Sequence, residues 1–141
     1  MQESSNADAY GGAQGSVRSL LRSEGAMLFV VCTGLYFGAS DAPWWLFVVL
    51  FLAPDLAFVA FAAGRRAGVL AYNAAHTTIG PLALLAIGLV VANDNLVAIS
   101  LIWGAHIGID RAVGYGLRYP ASFENTHLGA VGSLRKARGS A

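Results

Sequence analysis

Two histidines and two aspartates lie within segments that are otherwise apolar enough to cross a membrane. His106 and Asp110 are four residues apart, so on a helix their side chains share one face. Asp55 and His76 lie in two earlier apolar segments. Ionisable groups are costly within a bilayer and usually face the interior of a helix bundle, where they are candidates for function. Proton-transfer chemistry uses carboxylate and imidazole pairs, so we predict that these four residues are catalytic.

The depths of these residues agree across three predicted helices. At a helical rise of about 1.5 Å per residue, Asp55 and His76 lie roughly 13 and 15 Å from the basic loop between their helices. Asp110 and His106 lie roughly 12 and 18 Å from Arg118 by the same measure. We therefore predict one polar layer in the cytoplasmic half of the bilayer.

A second set of polar and aromatic residues is expected to support this layer or to bind substrate. Tyr72 and Asn73 precede His76 by about one helical turn, which puts them on the same helix face. The set consists of residues near a member of the layer or near its cytoplasmic side: Tyr72, Asn73, Trp103, Arg111, Glu24 and His127.

Prolines and glycines near the layer indicate where helices bend or approach one another. Pro54 and Pro81 each remove a helix hydrogen bond, so we predict that each of them breaks or kinks its helix beside the layer. Gly104 and Gly108 are four residues apart, a spacing of small residues that lets a neighbouring helix come close.

The composition indicates an integral membrane protein. The chain has 141 residues, of which 56% are hydrophobic and 12% are charged, whereas soluble domains carry about 25% charged residues. A soluble fold of this size could not bury so many apolar side chains. The net charge of +1 argues against a disordered chain or a nucleic-acid binder. We therefore expect the lipid bilayer as a partner and no nucleic acid.

Four apolar stretches predict four transmembrane helices, at about 18–40, 44–63, 67–92 and 95–119. Their short connections predict an all-α, up-down four-helix bundle over residues 18–129, with a cytoplasmic cap at 120–129. All nine basic residues fall on the side that both termini share. The positive-inside rule then makes both termini cytoplasmic, in a multi-pass protein of the inner membrane. We predict disordered tails at 1–17 and 130–141, the second of them basic.

Five motifs also carry a resemblance to a known family. They are RSEG at Arg22–Gly25, APDLA at Ala53–Ala57, YNAAHT at Tyr72–Thr77, WGAHIGIDRAVGYGLRYP at Trp103–Pro120 and FENTHLG at Phe123–Gly129. Through them the chain resembles a family of small bacterial integral-membrane proteins described as a domain of unknown function. The resemblance implies a four-helix membrane protein that shares the polar positions named above, and it implies no activity.

The residues leave several functions open. The leading hypothesis is a small membrane enzyme in which Asp110 orients His106 as a general acid or base acting on a lipophilic small molecule. In a metal variant, His76, His106 and one of the two aspartates bind a divalent ion such as zinc or iron. The alternatives are a non-catalytic binding or accessory protein, a haem protein that uses both histidines, and a transporter subunit that would require a homo-oligomer. The sequence itself requires no cofactor, and it decides neither whether the protein is an enzyme nor its substrate.

Overall fold

The computed structural model describes residues 12–120 and 122–130. Its helices are α1 (Gly15–Ala39), α2 (Trp44–Phe51), a 3-10 helix (Ala53–Ala63), α3 (Arg65–His76), α4 (Ile79–Val90) and α5 (Asp94–Val113). Three short strands follow and form an antiparallel sheet: β1 (Arg118–Tyr119), β2 (Ser122–Thr126) and β3 (Gly129–Ala130). The described residues are mostly helical, as predicted, and the small sheet is a feature that the sequence pattern does not predict.

Three stretches are long and apolar enough to cross a membrane: α1, the stretch Trp44–Ala63 formed by α2 and the 3-10 helix, and α5. Helices α3 and α4 pass the same test only together, as a pair bent by 42°, which raises the number of candidate spans to four. Large apolar side chains remain exposed on these helices, and Val90 is exposed by 85%. Such surfaces are typical of helices that face lipid, so the structure indicates a multi-pass membrane protein.

Two of the predicted spans are interrupted close to the predicted polar layer. Helix α2 gives way to the 3-10 helix, which has Pro54 in its first turn. Helix α3 ends at His76, and Thr77 has extended backbone before α4 begins. The ring of Pro81 would collide with the carbonyl of Thr77 in a continuous helix, which explains why the break precedes the proline. The prediction of a helix break or kink at each proline is confirmed.

Helix α5 is shorter than the sequence predicts. We expected it to continue to about residue 119, and this was wrong, because it ends at Val113. Gly114 adopts a left-handed conformation with φ of 104°. Its amide and that of the next residue bond the carbonyls of Arg111 and Asp110 in a Schellman motif. Strand β1 therefore occupies the place of the last predicted helical turn.

The β-sheet lies against the start of α1. The amide of Ala13 donates to the carbonyl of His127 over 2.8 Å, and Nη2 of Arg18 donates to the carbonyl of Ala130 over 3.5 Å. The first and last described segments of the chain therefore lie side by side. This contact could not be expected from the sequence, because it joins residues more than a hundred positions apart.

The limits of the predicted segments shift accordingly. The predicted tail at 1–17 overlaps helix α1, which begins at Gly15. Strands β2 and β3 occupy most of the predicted cap at 120–129. Residues 12–14 of the first predicted tail precede α1 within the described range, and Ala130 of the second belongs to β3. The other residues of both predicted tails, 1–11 and 131–141, fall outside the described residues.

Helix α5 forms the centre of the protein. It contacts α1, α2 and α4, and half of its span is buried. Its contact with α1 requires residues without side chains: a Cβ on Gly108 would lie 2.5 Å from the backbone nitrogen of Phe29. A Cβ on Gly104 would lie 2.8 Å from the sulfur of Cys32. The predicted close approach of a helix at these two glycines is confirmed, and the approaching helix is α1.

Candidate metal centre

Four side chains from three helical elements meet beside the two helix breaks. Asp55 is in the first turn of the 3-10 helix, His76 is the last residue of α3, and His106 and Asp110 lie one turn apart on α5. One nitrogen or oxygen atom from each side chain lies within 4.8 Å of the other three. We call these four residues the His–Asp cluster. The structure thus brings together the same four residues that the sequence predicts to be catalytic.

Both imidazole rings present the same nitrogen to the cluster. Nε2 of His106 lies 3.2 Å from Nε2 of His76. Oδ1 of Asp55 lies 3.6 Å from both nitrogens, and Oδ2 of Asp110 lies 3.5 Å and 3.7 Å from them. Donor atoms around a tetrahedral ion with bonds of about 2.0–2.2 Å are about 3.3–3.6 Å apart. Five of the six spacings, at 3.2–3.7 Å, are close to those of a tetrahedral metal site, and the sixth, between the two carboxylate oxygens, is within 4.8 Å.

Burial differs between the two residue types. The side chains of His76 and His106 are each only 3% exposed, whereas those of Asp55 and Asp110 are 43% and 22% exposed. The imidazole rings are therefore shielded, and the carboxylates form the accessible side of the cluster. An ion or a ligand can approach from that side without displacing the buried rings.

His76 is held by the helix that it ends. Its Nδ1 lies 2.9 Å from the carbonyl oxygen of Tyr72, which can only accept a hydrogen bond. In the neutral ring Nδ1 therefore carries the hydrogen, and the lone pair of Nε2 points to the cluster. The ring of Tyr72 also stacks on the imidazole with centroids 3.9 Å apart. Metal-binding histidines usually donate their second nitrogen to a carbonyl or carboxylate in this way.

His106 is packed by an aromatic ring instead. The ring of Phe51 meets it edge to face at 5.4 Å, and within the described part of the chain its buried Nδ1 has no hydrogen-bond partner. We expected Asp110 to orient this ring by a hydrogen bond. The carboxylate lies 3.7 Å from Nε2, which is too long for that bond. Asp110 is thus a neighbour of the ring nitrogen that faces the cluster, as Asp55 is.

Trp103 and Asn73 support the backbone around His76. The indole Nε1 of Trp103 donates over 2.6 Å to the carbonyl of Ala75, one of the carbonyls that the end of α3 leaves without a helical partner. The amide group of Asn73 donates to the carbonyl of Arg118 over 2.9 Å and accepts from its amide over 2.8 Å. These contacts tie the end of α3 to helix α5 and to strand β1.

Arg118 is a residue near this region that the sequence does not single out. It is only 7% exposed, and its guanidinium lies 4.7 Å from the ring centroid of Tyr72 and 5.7 Å from that of Phe58. In the sequence it resembles an ordinary basic residue at the end of a membrane helix. Its guanidinium packs against rings of the 3-10 helix and α3, which are distant in the chain, so no local pattern could indicate its burial.

The three remaining predicted residues lie outside the His–Asp cluster. The charge of Glu24 acts on Arg111, at the contact between α1 and α5. Nδ1 of His127 accepts a hydrogen bond of 2.8 Å from the backbone amide of Leu117. The backbone amide of His127 in turn donates to the carbonyl of Leu117 over 3.1 Å. His127 therefore holds the sheet to the segment after α5.

His127 predicts a pH dependence of stability. Burial, together with the charge of Arg111, lowers the pKa of His127 below its ordinary value of 6.5. Only an unprotonated Nδ1 can accept the hydrogen bond from Leu117. The unfolded chain therefore binds this proton more readily, so the stabilisation is complete above about pH 6.5 and is lost as the pH falls below it. We expect the melting temperature in detergent to decrease as the pH falls below about 6.5.

The matched variant for this prediction is His127→Gln, which keeps an oxygen acceptor but cannot be protonated. We expect melting temperature to vary less with pH in His127→Gln than in the wild type below about pH 6.5. Identical pH profiles for the two proteins would contradict the assigned role of His127.

A comparison with known protein families finds a match that covers nearly all of the described fold. A family model described as Domain of unknown function (DUF4260) matches residues 18–131, a range that includes nearly all of α1, the His–Asp cluster and the β-sheet. No curated protein and no solved structure matches this chain. The resemblance predicted from the motifs is confirmed, and the chain belongs to the DUF4260 family, a domain of unknown function.

Proposed function

We propose that this protein is a membrane enzyme whose His–Asp cluster binds a divalent metal ion and performs acid/base chemistry on a lipophilic small molecule. The observation that carries the proposal is the convergence of four donor atoms within 4.8 Å of one another. Two imidazole nitrogens and two carboxylate oxygens form a donor set that suits zinc, iron or manganese. The lone pair of His76 is already directed into this set by its bond to the helix backbone.

Electrostatics supports the same proposal. The two carboxylate oxygens of the cluster lie within 4.8 Å of each other in a partly buried position, so their negative charges repel. A divalent cation between them offsets that repulsion. Two neutral imidazoles with two ionised carboxylates balance the charge of such an ion, which lowers the cost of holding it among apolar helices.

The difference in exposure suggests how the site works. Four protein donors close a tetrahedral site, whereas catalytic sites keep one position open for substrate. Asp55 is the most exposed member, at 43%, and is therefore the donor that can yield its position. A bound divalent ion would supply Lewis acidity to an oxygen-bearing group of the substrate. The oxygen that each carboxylate does not offer to the ion is the candidate proton acceptor.

The proposal includes a membrane topology. Four spans run up and down through the bacterial inner membrane, with α3 and α4 as one bent span and both termini in the cytoplasm. The distribution of basic residues supports it, because all nine lie in segments on that side. The loops on the opposite side carry Asp41 and Asp94 and no basic residue.

A second candidate function is metal-free proton transfer. Nε2 of His106 lies at hydrogen-bond distance, 3.2 Å, from Nε2 of His76. Because His76 carries its hydrogen on Nδ1, His106 would donate to it in the absence of an ion. The same 3.2 Å argues against a haem held between the two rings, since axial nitrogens on opposite sides of one iron lie about 4 Å apart.

Metal content tests the proposal. Protein purified in detergent is treated with a chelator, incubated separately with Zn²⁺, Mn²⁺ or Fe²⁺, desalted and measured by mass spectrometry. We expect about one ion per chain for at least one of these metals. The control is Asp94→Asn, which removes an exposed carboxylate outside the cluster and should leave the metal content unchanged. No binding of any of the three metals would reject the metal centre and favour the metal-free candidate.

A further inference from the structure

An apolar cleft opens beside the His–Asp cluster. Its volume is about 290 Å³, close to the lower end of small-molecule sites, which is about 300 Å³. Its walls come from α2, the 3-10 helix, α3 and α5, and include Leu50, Pro54, Ala75, Ile99, Ile102 and Trp103. A methylene group is about as large as a water molecule, roughly 30 Å³, so the cleft holds about ten such groups.

The cleft adjoins three members of the cluster through the chain itself. Pro54 directly precedes Asp55, and Ala75 directly precedes His76. The wall from α5 includes Trp103, which lies in the helical turn before the third member, His106. The lining itself contains none of the four cluster residues, so a molecule in the cleft lies against hydrocarbon side chains, and the cluster is the neighbouring polar group.

The surroundings of the cleft are apolar as well. Leu52 and Leu56, next to the wall formed by the 3-10 helix, are 61% and 70% exposed, and Ile79 at the start of α4 is 73% exposed. These side chains lie on candidate membrane spans, so the phase outside them is lipid. The exposed side chains next to the cleft therefore face the bilayer, close to the two helix breaks.

One wall of the cleft is preorganised. Trp103 is tied to the carbonyl of Ala75 by a hydrogen bond of 2.6 Å. Gly80 makes room for its ring, because a Cβ at that position would overlap the indole. A fixed wall reduces the entropy lost when a flexible chain binds.

We propose that this cleft binds the hydrocarbon chain of a single-chain lipid, with the oxygen-bearing head group of that lipid at the His–Asp cluster. The inference rests on the proposed function and deepens it by naming the class of substrate. An apolar cleft whose walls directly precede cluster residues in the chain suits an amphiphile, and its volume matches part of one hydrocarbon chain. The exposed carboxylate of Asp55 marks the side of the cluster that the head group can reach.

Photolabelling in a bilayer tests this inference. The protein is placed in phosphatidylcholine nanodiscs with palmitic acid that carries a diazirine in mid-chain, and labelled peptides are mapped by mass spectrometry. We expect labelling of the cleft residues to saturate and to be displaced by ordinary palmitic acid. Contacts with bulk lipid on the outer surfaces should not saturate.

Two neighbouring alanines on α3 provide the matched variants. Ala75 lines the cleft, and Ala74 is exposed outside it. Ala75→Phe should lower saturable labelling by about tenfold or more, because the ring occupies the space of the lipid chain. Ala74→Phe should leave it unchanged. If Ala75→Phe does not fold, Ile99→Trp fills the cleft from α5 and carries the same expectation.

Metal content measured on the same samples separates the two proposals. Saturable labelling in a protein that binds no ion supports the lipid cleft and rejects the metal centre. One ion per chain, with labelling that does not saturate or that a folded cleft-filling variant leaves intact, overturns the lipid proposal and leaves the metal centre standing.

Discussion

His106→Ala is expected to weaken the binding of a divalent ion by more than about 100-fold. Loss of a partner that only orients a metal ligand already costs about 10–100-fold in affinity, so loss of a direct donor costs more. Nε2 of His106 lies 3.2–3.7 Å from each of the other three donors, and no other nitrogen of the cluster can replace it. The affinity is measured by competition with a chromophoric chelator in detergent.

The control for this substitution is His127→Ala, which makes the same chemical change outside the cluster. It should lower stability but leave the affinity for the ion within about twofold of the wild type. Asp55→Asn should fall between the two, because an amide oxygen still donates to the ion but carries no charge. Equal metal affinity of His106→Ala and the wild type would show that the ion binds elsewhere.

Gly25→Leu is expected to destabilise the protein by about 1–3 kcal/mol or more. A Cβ at this position would lie 2.8 Å from the backbone nitrogen of Ala112 and 2.9 Å from the backbone oxygen of Gly108. Backbone atoms of a packed helix cannot move aside as a flexible side chain can, so α1 and α5 would have to separate. The loss is measured as a decrease in the free energy of unfolding in detergent.

Gly34→Leu is the matched control, because it makes the same substitution in the same helix. Gly34 is exposed, and a Cβ there would meet no atom within 4 Å. The leucine also favours the helix by about 1 kcal/mol relative to glycine, so this variant should be as stable as the wild type or more stable. Equal losses in the two variants would mean that the close contact between α1 and α5 is not what stabilises the protein.

Much of the candidate site could be predicted because its signals are local. An ionisable residue in an apolar stretch stands out at once, and the spacing of His106 and Asp110 indicates a shared helix face. Helix rise then relates the depths of Asp55 and His76 to those of the other two. Each of these steps uses the geometry of a single helix, and none requires knowledge of how helices pack.

The roles within the cluster could not be predicted in the same way. Helical spacing says that Asp110 can reach His106, but it does not say which ring nitrogen the carboxylate meets. In the structure both imidazoles present Nε2 to the same point, and this depends on the rotations of α3 and α5 relative to each other. The spacing of donor atoms that suits an ion is therefore a property of packing between helices.

The sequence by itself determined that the chain forms apolar helices of membrane type, which four ionisable residues lie within apolar segments near one depth, and where prolines interrupt the spans. Those properties follow from composition and from contacts within one helix. Only the tertiary structure decided that α5 ends at Val113, that a β-sheet joins the start of α1, and that the four side chains converge within 4.8 Å. These depend on contacts between residues far apart in the chain, which the sequence pattern of one segment does not contain.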